Sequence, residues 1–396
     1  MANMTYKDQG VDYEAMDPYK KLAQQVAQTT AHFLERLGCS EVMWSRGESA
    51  HITRTPWGVF IAFVVEGLGT KNKVAVTMRW LAKKMHLLTG KTYYEKVTQC
   101  NVAMVVNDLA TSGASVAVYG QYLGVGSSSW FDDDDRARDT IRGTMNGCTL
   151  ARGTWGCGET PTLKGIIDPE TPDLAGAAWG IITSEDRLIN PANIEHGDAI
   201  VMLESNGIHA NGLTLCRAIG DRKDPWWRKL LNVFFPKSFP LQALPDGYLT
   251  RLADGRTYGE TLLDPTHIYA GLVEDCLNLG VKIHYAVNIT GHGWRKLMRA
   301  LQKFAYIIDT LPSVKLIFPF LQKHGPVSDY EAYGNLNMGA GFALYVPEAD
   351  VAKVIEIAAA LGLVAFRAGH IEASDEKKVV IKPKGLVYTA DTLAVR

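Results

Sequence analysis

The sequence predicts a protein of the α/β or α+β class with two domains, and three observations support this. The chain has 396 residues, about two or three times the length of an ordinary domain. Apolar runs of strand length alternate with segments of helical spacing in both halves. A polar stretch at 184–198 separates the halves. We therefore predict an N-terminal domain over 1–184 and a C-terminal domain over 185–396.

The charge, cysteine content and apolar runs of the chain argue against several classes of protein. The chain carries 41 Lys and Arg against 42 Asp and Glu, a net charge of -1, so it lacks the positive field of a nucleic-acid binder. Its six cysteines show no CxxC spacing, which favours reduced thiols and a cytoplasmic location. The N-terminus is polar, and no apolar run approaches the length of a membrane span. We therefore expect neither nucleic acid nor membrane as a partner.

The spacing of hydrophobic residues predicts the helices and strands of the first half. A helix that ends at Gly38, a plausible C-cap, is followed by a loop at 43–58. The acidic run Asp132–Asp135 opens an amphipathic segment, where it would stabilise a helix N-terminus; a metal-binding role is the alternative. The predicted helices lie at 17–38 and 93–112, and the predicted strands at 59–65 (a buried strand), 115–123 and 173–183.

The second half is predicted to begin with a strand at 198–204. A short helix to Asp221 follows, and then an irregular, tryptophan-containing insertion at 222–256. Further elements are a helix at 265–279, a glycine turn at 291–293 and a terminal helix at 348–361.

The hexapeptide EGLGTK (66–71) directly follows a predicted strand. Glycines allow a close backbone approach, and a lysine can meet a phosphate as a point charge. The segment is not a Walker A motif, which requires GxxxxGK[ST]. The alternative is an ordinary glycine turn with Lys71 in solvent.

Three carboxylates on separate elements raise the possibility of a metal site. Glu66 ends a strand, Asp108 follows Asn107 near the end of an apolar helix, and Glu159 lies among glycines at a strand end. Carboxylates together with substrate phosphates are typical ligands of Mg²⁺. Helix caps and surface-facing side chains are the alternative interpretation.

His209 lies in NGIHANG, a polar loop between a strand and a helix. A histidine there can act as an acid or base near neutral pH, although a plain hydrogen-bonding role is the alternative. No GxSxG sequence supports a Ser/His/Asp mechanism.

Taken in order, the motifs resemble those of the phosphoribosylformylglycinamidine cyclo-ligase family, also called aminoimidazole ribonucleotide (AIR) synthetases, of the PurM-like superfamily. The resemblance covers nearly the whole chain apart from 222–256. The segments that carry it are TYKDQGVDYEA (5–15), EGLGTK (66–71), MVVNDLATSGA (104–114), GCGETPTLKG (156–165), DLAGAAWG (173–180), LESNGIHANGLTLCR (203–217), LLDPTHIY (262–269), NITGHGW (288–294) and NLNMGAGFALYVP (335–347).

The resemblance implies a two-domain PurM-like ATP-binding fold, with N-terminal domains that form a barrel across a homodimer and a mixed α/β C-terminal domain. It also implies closure of an imidazole ring on a nucleotide substrate, with ATP and Mg²⁺. The implied residues are the nucleotide contacts Gly67, Gly69, Thr70, Lys71, Asn107 and Asp108, the metal ligands Glu66, Asp108 and Glu159, and the substrate-side residues Thr160, His209 and Asn211. Lys71 and His209 are the expected catalytic residues.

Several positions depart from the family pattern. Glu66 stands where the family has aspartate, Gln121 where it has a carboxylate, and His292 where it has glycine. The family's glycine-rich segment before the first strand is replaced by MWSRGESAHI (43–52). Two alternatives remain: a relative that uses ATP to phosphorylate a different amide or acid oxygen, and a non-catalytic nucleotide-binding homodimer.

Overall fold

The fold was analysed in a computed structural model that describes residues 4–86, 89–238 and 240–393. The first of two sheets lies entirely before residue 183 and has the strand order β1-β2-β3-β6-β4-β5. Only β4 and β5 pair in parallel. Its strands are β1 (Ser40–Glu41), β2 (His51–Arg54), β3 (Phe60–Gly67), β4 (Ser115–Gly124), β5 (Thr154–Glu159) and β6 (Asp173–Ile182).

Helices α3 (Tyr94–Ala110) and α4 (Asp134–Ala151) cover one face of this first sheet. The other helices of this half are α1 (Tyr13–Gln28) and α2 (Lys71–Lys84), and α2 packs against α3. Helix α3 is buried along most of its length because it packs against both the sheet and α4. The N-cap of α4 is Asp133, whose side chain accepts from the backbone N–H of Arg136. This confirms the structural interpretation of the acidic run.

The second sheet lies after residue 198 and has the order β13-β12-β9-β11-β7-β10-β8. Its pairs are antiparallel except for β9 with β12. The strands are β7 (Ala199–Glu204), β8 (Tyr285–Asn288), β9 (Phe304–Ile308), β10 (Ala340–Val346), β11 (Ala365–Ala373), β12 (Lys378–Ile381) and β13 (Leu386–Thr389). The helices of this half are α5 (Leu213–Asp221), α6 (Trp226–Phe234), α7 (Tyr258–Leu262), α8 (Ala270–Asn278), α9 (Ile317–His324), α10 (Asp329–Asn335) and α11 (Val351–Ala360).

The structure confirms the mixed α/β class and most of the predicted elements, and it corrects several. The first helix begins at Tyr13 and ends at Gln28, and a 3₁₀ helix continues to Gly38, which caps it in the left-handed region. The segment 43–58 is not only loop, because it contains β2. Strand β3 is buried on one face only, since Ile61, Phe63 and Val65 are exposed.

In the second half, the helix predicted at 348–361 is not the last element, because β11, β12 and β13 follow it. The insertion 222–256 contains a regular helix, α6. Across the three described ranges, no helix is both long and apolar enough to cross a bilayer.

Candidate active site

A cavity of about 520 Å³ lies where elements of both halves meet α1. Its polar groups come from α1, β3, α3, the segment 290–299 after β8, and the loops at residues 47–49 and 211. Its lining includes Tyr13, Lys20, Glu48, Glu66, Gly67, Asp108, Asn211, Thr290, His292, Lys296 and Arg299.

Two carboxylates form the centre of this cavity. Glu66 comes from the end of β3, and Asp108 from the last turn of α3, where it is 4% exposed. Asn288 Nδ2 donates to Asp108 Oδ1 at 2.7 Å. Burial and the neighbouring Asp108 charge raise the pKa of Glu66 to about 7, because two like charges in a shielded site resist ionisation. Glu66 therefore resists ionisation more strongly than an ordinary glutamate does.

Basic side chains face the carboxylate pair. Lys296 Nζ donates to the backbone oxygen of Asn288 at 3.4 Å and to Thr290 Oγ1. Burial lowers the pKa of Lys296, as expected for an ammonium group removed from water. Arg299 is fixed in place, since its guanidinium donates to Gly47 O at 2.8 Å and to Ser49 Oγ at 3.0 Å. The cavity thus places cations opposite anions.

Helix α1 lies along one side of the cavity, where its Tyr13 contacts His292. This histidine has a φ of 66°, in the left-handed region that favours glycine. Its ring stacks on Tyr13 with a centroid distance of 3.7 Å, and its Nε2 lies 3.6 Å from Asp17 Oδ2. Burial and nearby Arg295 and Lys296 lower the pKa of His292 to about 2, so the ring is neutral.

The glycine segment after Glu66 leads into the N-terminus of α2. Gly67 lines the cavity, and Gly69 has a φ of 78°, which glycine adopts without strain. Thr70 precedes the helix, and its Oγ1 is buried with no hydrogen-bond partner within the described ranges. Free N–H groups and the helix dipole make such an N-terminus suitable for an anion.

The placement of Lys71 does not support a phosphate contact. Its side chain is fully buried. Its ammonium group donates to the backbone oxygen of His209 at 2.9 Å and to that of Asp264. Lys71 therefore joins the glycine segment to two loops of the second half. These contacts give Lys71 a structural role, and its phosphate contact and catalytic role stay predictions.

Asn107 also has a structural role. Its Nδ2 donates to His267 O at 2.8 Å, and its Oδ1 accepts from the backbone N–H of Tyr269 at 2.7 Å. Both polar groups of the amide thus hold the chain before α8 against α3. This placement does not support the nucleotide contact expected of Asn107.

His209 lies outside the cavity, whereas Asn211 lines it. The His209 ring is buried beside His267 and Tyr269. Burial lowers its pKa well below the ordinary value, and His267 and Lys71 add to the effect. A neutral, enclosed ring does not support the predicted acid–base role. Asn211 faces the cavity with Nδ2 3.6 Å from Met104 Sδ.

Glu159 does not converge with the other two carboxylates within one chain. Glu66 pairs with Gly176, Gly176 with Gln121, and Gln121 with Gly158. Because successive residues of a strand point to opposite faces, Glu159 lies on the opposite face of the sheet from Glu66.

The adjoining Thr160 is exposed. Among the residues that the structure describes, no group of three His, Cys, Asp or Glu side chains is arranged to hold a metal ion. Within one chain, Glu66 and Asp108 therefore lie together as a pair, and a metal-ligand role for Glu159 stays a prediction.

Sequence reasoning missed the cationic side of the cavity. Lys20, Lys296 and Arg299 were not among the predicted site residues. A local signal exists for two of them, because they closely follow the NITGHGW segment in the run WRKLMR (294–299). Lys20 comes from α1, and only the tertiary structure brings that helix to the site.

Two protein-family models match this chain. Residues 61–182 match the family model "AIR synthase related protein, N-terminal domain". Residues 195–382 match "AIR synthase related protein, C-terminal domain". Together these matches include both sheets except for β1, β2, β13 and the first residue of β3.

Relatives similar over nearly their full length identify the family. The chain is 30% identical to the phosphoribosylformylglycinamidine cyclo-ligase of Carboxydothermus hydrogenoformans, over 96% of this chain and 99% of that protein. It is 31% identical to the enzyme of the same name from Methanococcus maripaludis, over 94% and 93%. The chain belongs to the phosphoribosylformylglycinamidine cyclo-ligase family.

Solved structures support the fold alone. A crystal structure of the HypE–HypF complex matches with a TM-score of 0.53 and 13% identity, covering 87% of this chain and 93% of that one. Phosphoribosylformylglycinamidine synthase II from Thermotoga maritima matches with a TM-score of 0.53 and 12% identity, covering 88% and 46%. The two-domain PurM-like architecture is thus shared by proteins of different names.

Proposed function

We propose that this chain cyclises formylglycinamidine ribonucleotide to aminoimidazole ribonucleotide, using ATP and releasing ADP and phosphate. The observation that carries the proposal is the Glu66–Asp108 pair facing Lys296 in one cavity of a cyclo-ligase family member. Such an arrangement can neutralise a polyphosphate and a cation together. The sequence supports the same activity through its ordered motifs.

In this proposal, the ATP phosphates lie at the segment Gly67–Thr70 and the N-terminus of α2. Backbone N–H groups there replace the lysine contact first expected of Lys71, since its ammonium group is already bonded to two carbonyls. Free N–H groups at a helix start bind anions without a charged side chain.

Glu66 and Asp108 suit a magnesium ion. Burial and the neighbouring Asp108 charge raise the pKa of Glu66, and a cation bound at the two carboxylates would offset the charge that resists ionisation there. Two carboxylates plus phosphate oxygens match the usual protein environment of Mg²⁺. When bound, the ion would offset the negative charge of the transferring phosphoryl group.

The chemistry follows from the poor leaving ability of an amide oxygen. The substrate's amide oxygen attacks the γ-phosphorus of ATP, and the bond to ADP breaks. The ring-closing nitrogen then forms a bond to the activated carbon, and phosphate leaves with the former amide oxygen. Arg299 and Lys20 would hold the anionic substrate, and Asn211 would orient its amide. Fixing both reacting atoms in one bound molecule favours the second step.

We further propose that the enzyme is a cytoplasmic homodimer. Support comes from the face of the first sheet that no helix covers, where Phe63, Val65 and Trp179 are exposed at 48%, 64% and 38%. Such an apolar strip is a typical association surface. All six cysteines are free thiols, which suits a reducing compartment.

The direct test is ADP release by the folded protein with formylglycinamidine ribonucleotide, ATP and Mg²⁺. We expect turnover that requires all three, with aminoimidazole ribonucleotide as the product. Absence of substrate-dependent ADP release from correctly folded protein would reject the proposal. ATP binding without turnover would instead favour a non-catalytic nucleotide-binding homodimer.

A further inference from the structure

Helix α6 of the insertion turns its apolar side chains away from the protein. Trp226, Leu230 and Phe234 recur every four residues and so share one stripe. They are 76%, 52% and 67% exposed, and the neighbouring Val233 is 74% exposed. No residue of this helix is buried. A surface helix of a globular protein normally shows the reverse arrangement, with its apolar side toward the core.

The half-buried residues of α6 are Arg228, Leu231 and Asn232, and polar contacts on this inner side hold the helix in place. Arg228 is half-buried and donates to Pro240 O at 3.5 Å, and it lies 3.8 Å from Asp224. Asp224 in turn accepts from the backbone N–H groups of Gln242 and Ala243, each at 2.9 Å. These contacts join the two ends of the loop that carries α6, so the outward orientation is fixed by the polar contacts on its inner side.

Positive charge surrounds the apolar stripe. Residues 222–238 contain five basic side chains and one acidic side chain, within a chain of net charge -1. Lys223, Lys229 and Lys237 are exposed. Within the described ranges, no carboxylate forms an ion pair with any of these three lysines.

We propose that α6 lies in the interfacial region of a membrane surface that carries anionic lipid headgroups. Aromatic and aliphatic side chains would enter the boundary between headgroups and acyl chains, while the three lysines would meet lipid phosphates. Tryptophan is favoured at this depth because its ring is apolar and its indole N–H is polar. Such a helix lies on a membrane without crossing it.

A second copy of this chain is a less suitable occupant. Pairing two α6 helices would bring two sets of exposed lysines together, and like charges across an interface disfavour association. An anionic lipid surface provides the opposite charge for the same lysines. The proposal departs from the sequence-based expectation of no membrane partner, and it is independent of the proposed catalytic activity.

The test uses the full-length protein and measures the fraction that sediments with vesicles. One set contains phosphatidylcholine with phosphatidylglycerol, and the other contains phosphatidylcholine alone. We expect binding to the anionic vesicles that weakens as salt rises, because exposed charges are screened. Leu230→Glu with Phe234→Glu should reduce the bound fraction roughly tenfold or more, since each adds a charge at the apolar stripe. Lys229→Glu with Lys237→Glu should remove the preference for anionic vesicles.

Val314→Glu is the matched control, because Val314 is an apolar side chain 78% exposed outside the insertion. It should bind vesicles as the unchanged protein does. All variants should keep the circular dichroism spectrum and melting temperature, since no altered side chain is buried. Failure of the folded protein to bind anionic vesicles overturns the proposal. A dimer that dissociates on Leu230→Glu with Phe234→Glu, without vesicle binding, would overturn it in favour of self-association.

Discussion

The Glu66–Asp108 pair is the residue-scale feature on which the proposed chemistry depends. Asp108→Asn keeps the size of the side chain but removes the negative charge that a phosphate-bound cation requires. We expect ADP release to fall roughly 100-fold or more, which corresponds to about 3 kcal/mol or more of transition-state stabilisation. Steady-state kinetics with a melting curve would check this. Asp134→Asn, at an exposed carboxylate in the first turn of α4, is the matched control and should leave turnover unchanged.

The raised pKa of Glu66 also predicts how stability depends on pH. Between about pH 4.5 and pH 7, the folded protein holds a proton on Glu66 that the unfolded chain has lost. The free energy of unfolding therefore falls as pH rises through this range. Glu66→Gln removes the titrating group, so it should stabilise the fold by about 1–3 kcal/mol above the raised pKa and not at acidic pH.

Urea unfolding of both proteins at several pH values would measure this difference. The same variant should lose ADP release, because the pair then lacks one of its charges. If the free energy of unfolding has the same pH dependence in Glu66→Gln as in the unchanged protein, Glu66 does not titrate as inferred. Stability gained with activity lost would mark Glu66 as a strained functional residue.

The sequence located the anionic half of this site but not its cationic half. Glu66 and Asp108 were recognisable because each carboxylate interrupts or ends an apolar element, where a charge needs a special reason. Lys20 and Arg299 carry no such signal, since a lysine or arginine in a polar segment is ordinarily a solvated side chain. Lys71 is the opposite case, because its motif predicted a phosphate contact that its position does not support. Its motif resembles a phosphate loop, but the structure uses its ammonium group for two backbone carbonyls.

At the scale of elements, the turn after β8 connects the cavity to helix α1. His292 accepts a left-handed conformation there and stacks on Tyr13. His292→Gly should relieve the backbone strain but lose the stacking contact, so α1 would close the cavity less firmly. We expect KM for ATP or substrate to rise severalfold in this variant with little change in overall stability.

His292→Ala separates the two effects. Alanine also lacks the ring, but it keeps the Cβ atom that makes a left-handed φ costly. The alanine variant should therefore be about 1 kcal/mol less stable than the glycine variant, while the two share the same rise in KM. Equal stability of the two variants in denaturant titrations would contradict the strain that is inferred for this turn.

Helices and strands were predicted correctly where the sequence pattern allows only one interpretation. Helix α3 and strands β4 and β6 were placed within a few residues, because long apolar runs bounded by glycine or polar residues leave little choice. The strands after α11 were missed, since their apolar residues are few and interrupted by charged side chains. Strand β3 was placed correctly and predicted to be buried, and the structure buries only one of its faces.

That uncovered face of β3 matters at the scale of the whole molecule. Phe63 lies directly opposite Trp179 of β6, and Val65 continues the strip along the strand. Among the described residues, this strip and the apolar stripe of α6 are separate exposed surfaces. The strip consists of uncharged side chains, so it suits a second copy of the chain, whereas the stripe of α6 has exposed lysines nearby and suits an anionic surface.

Phe63→Glu should convert the proposed homodimer into a monomer. The change would bury an unpaired carboxylate between two apolar faces, and desolvating such a charge costs several kcal/mol. Sedimentation velocity would report the loss as a shift to half the mass. Leu230→Glu with Phe234→Glu is the matched control, because it adds negative charge to the other apolar surface and should leave the dimer intact. A dimer that survives Phe63→Glu would place the subunit interface elsewhere, and the exposed strip on β3 would then need another partner.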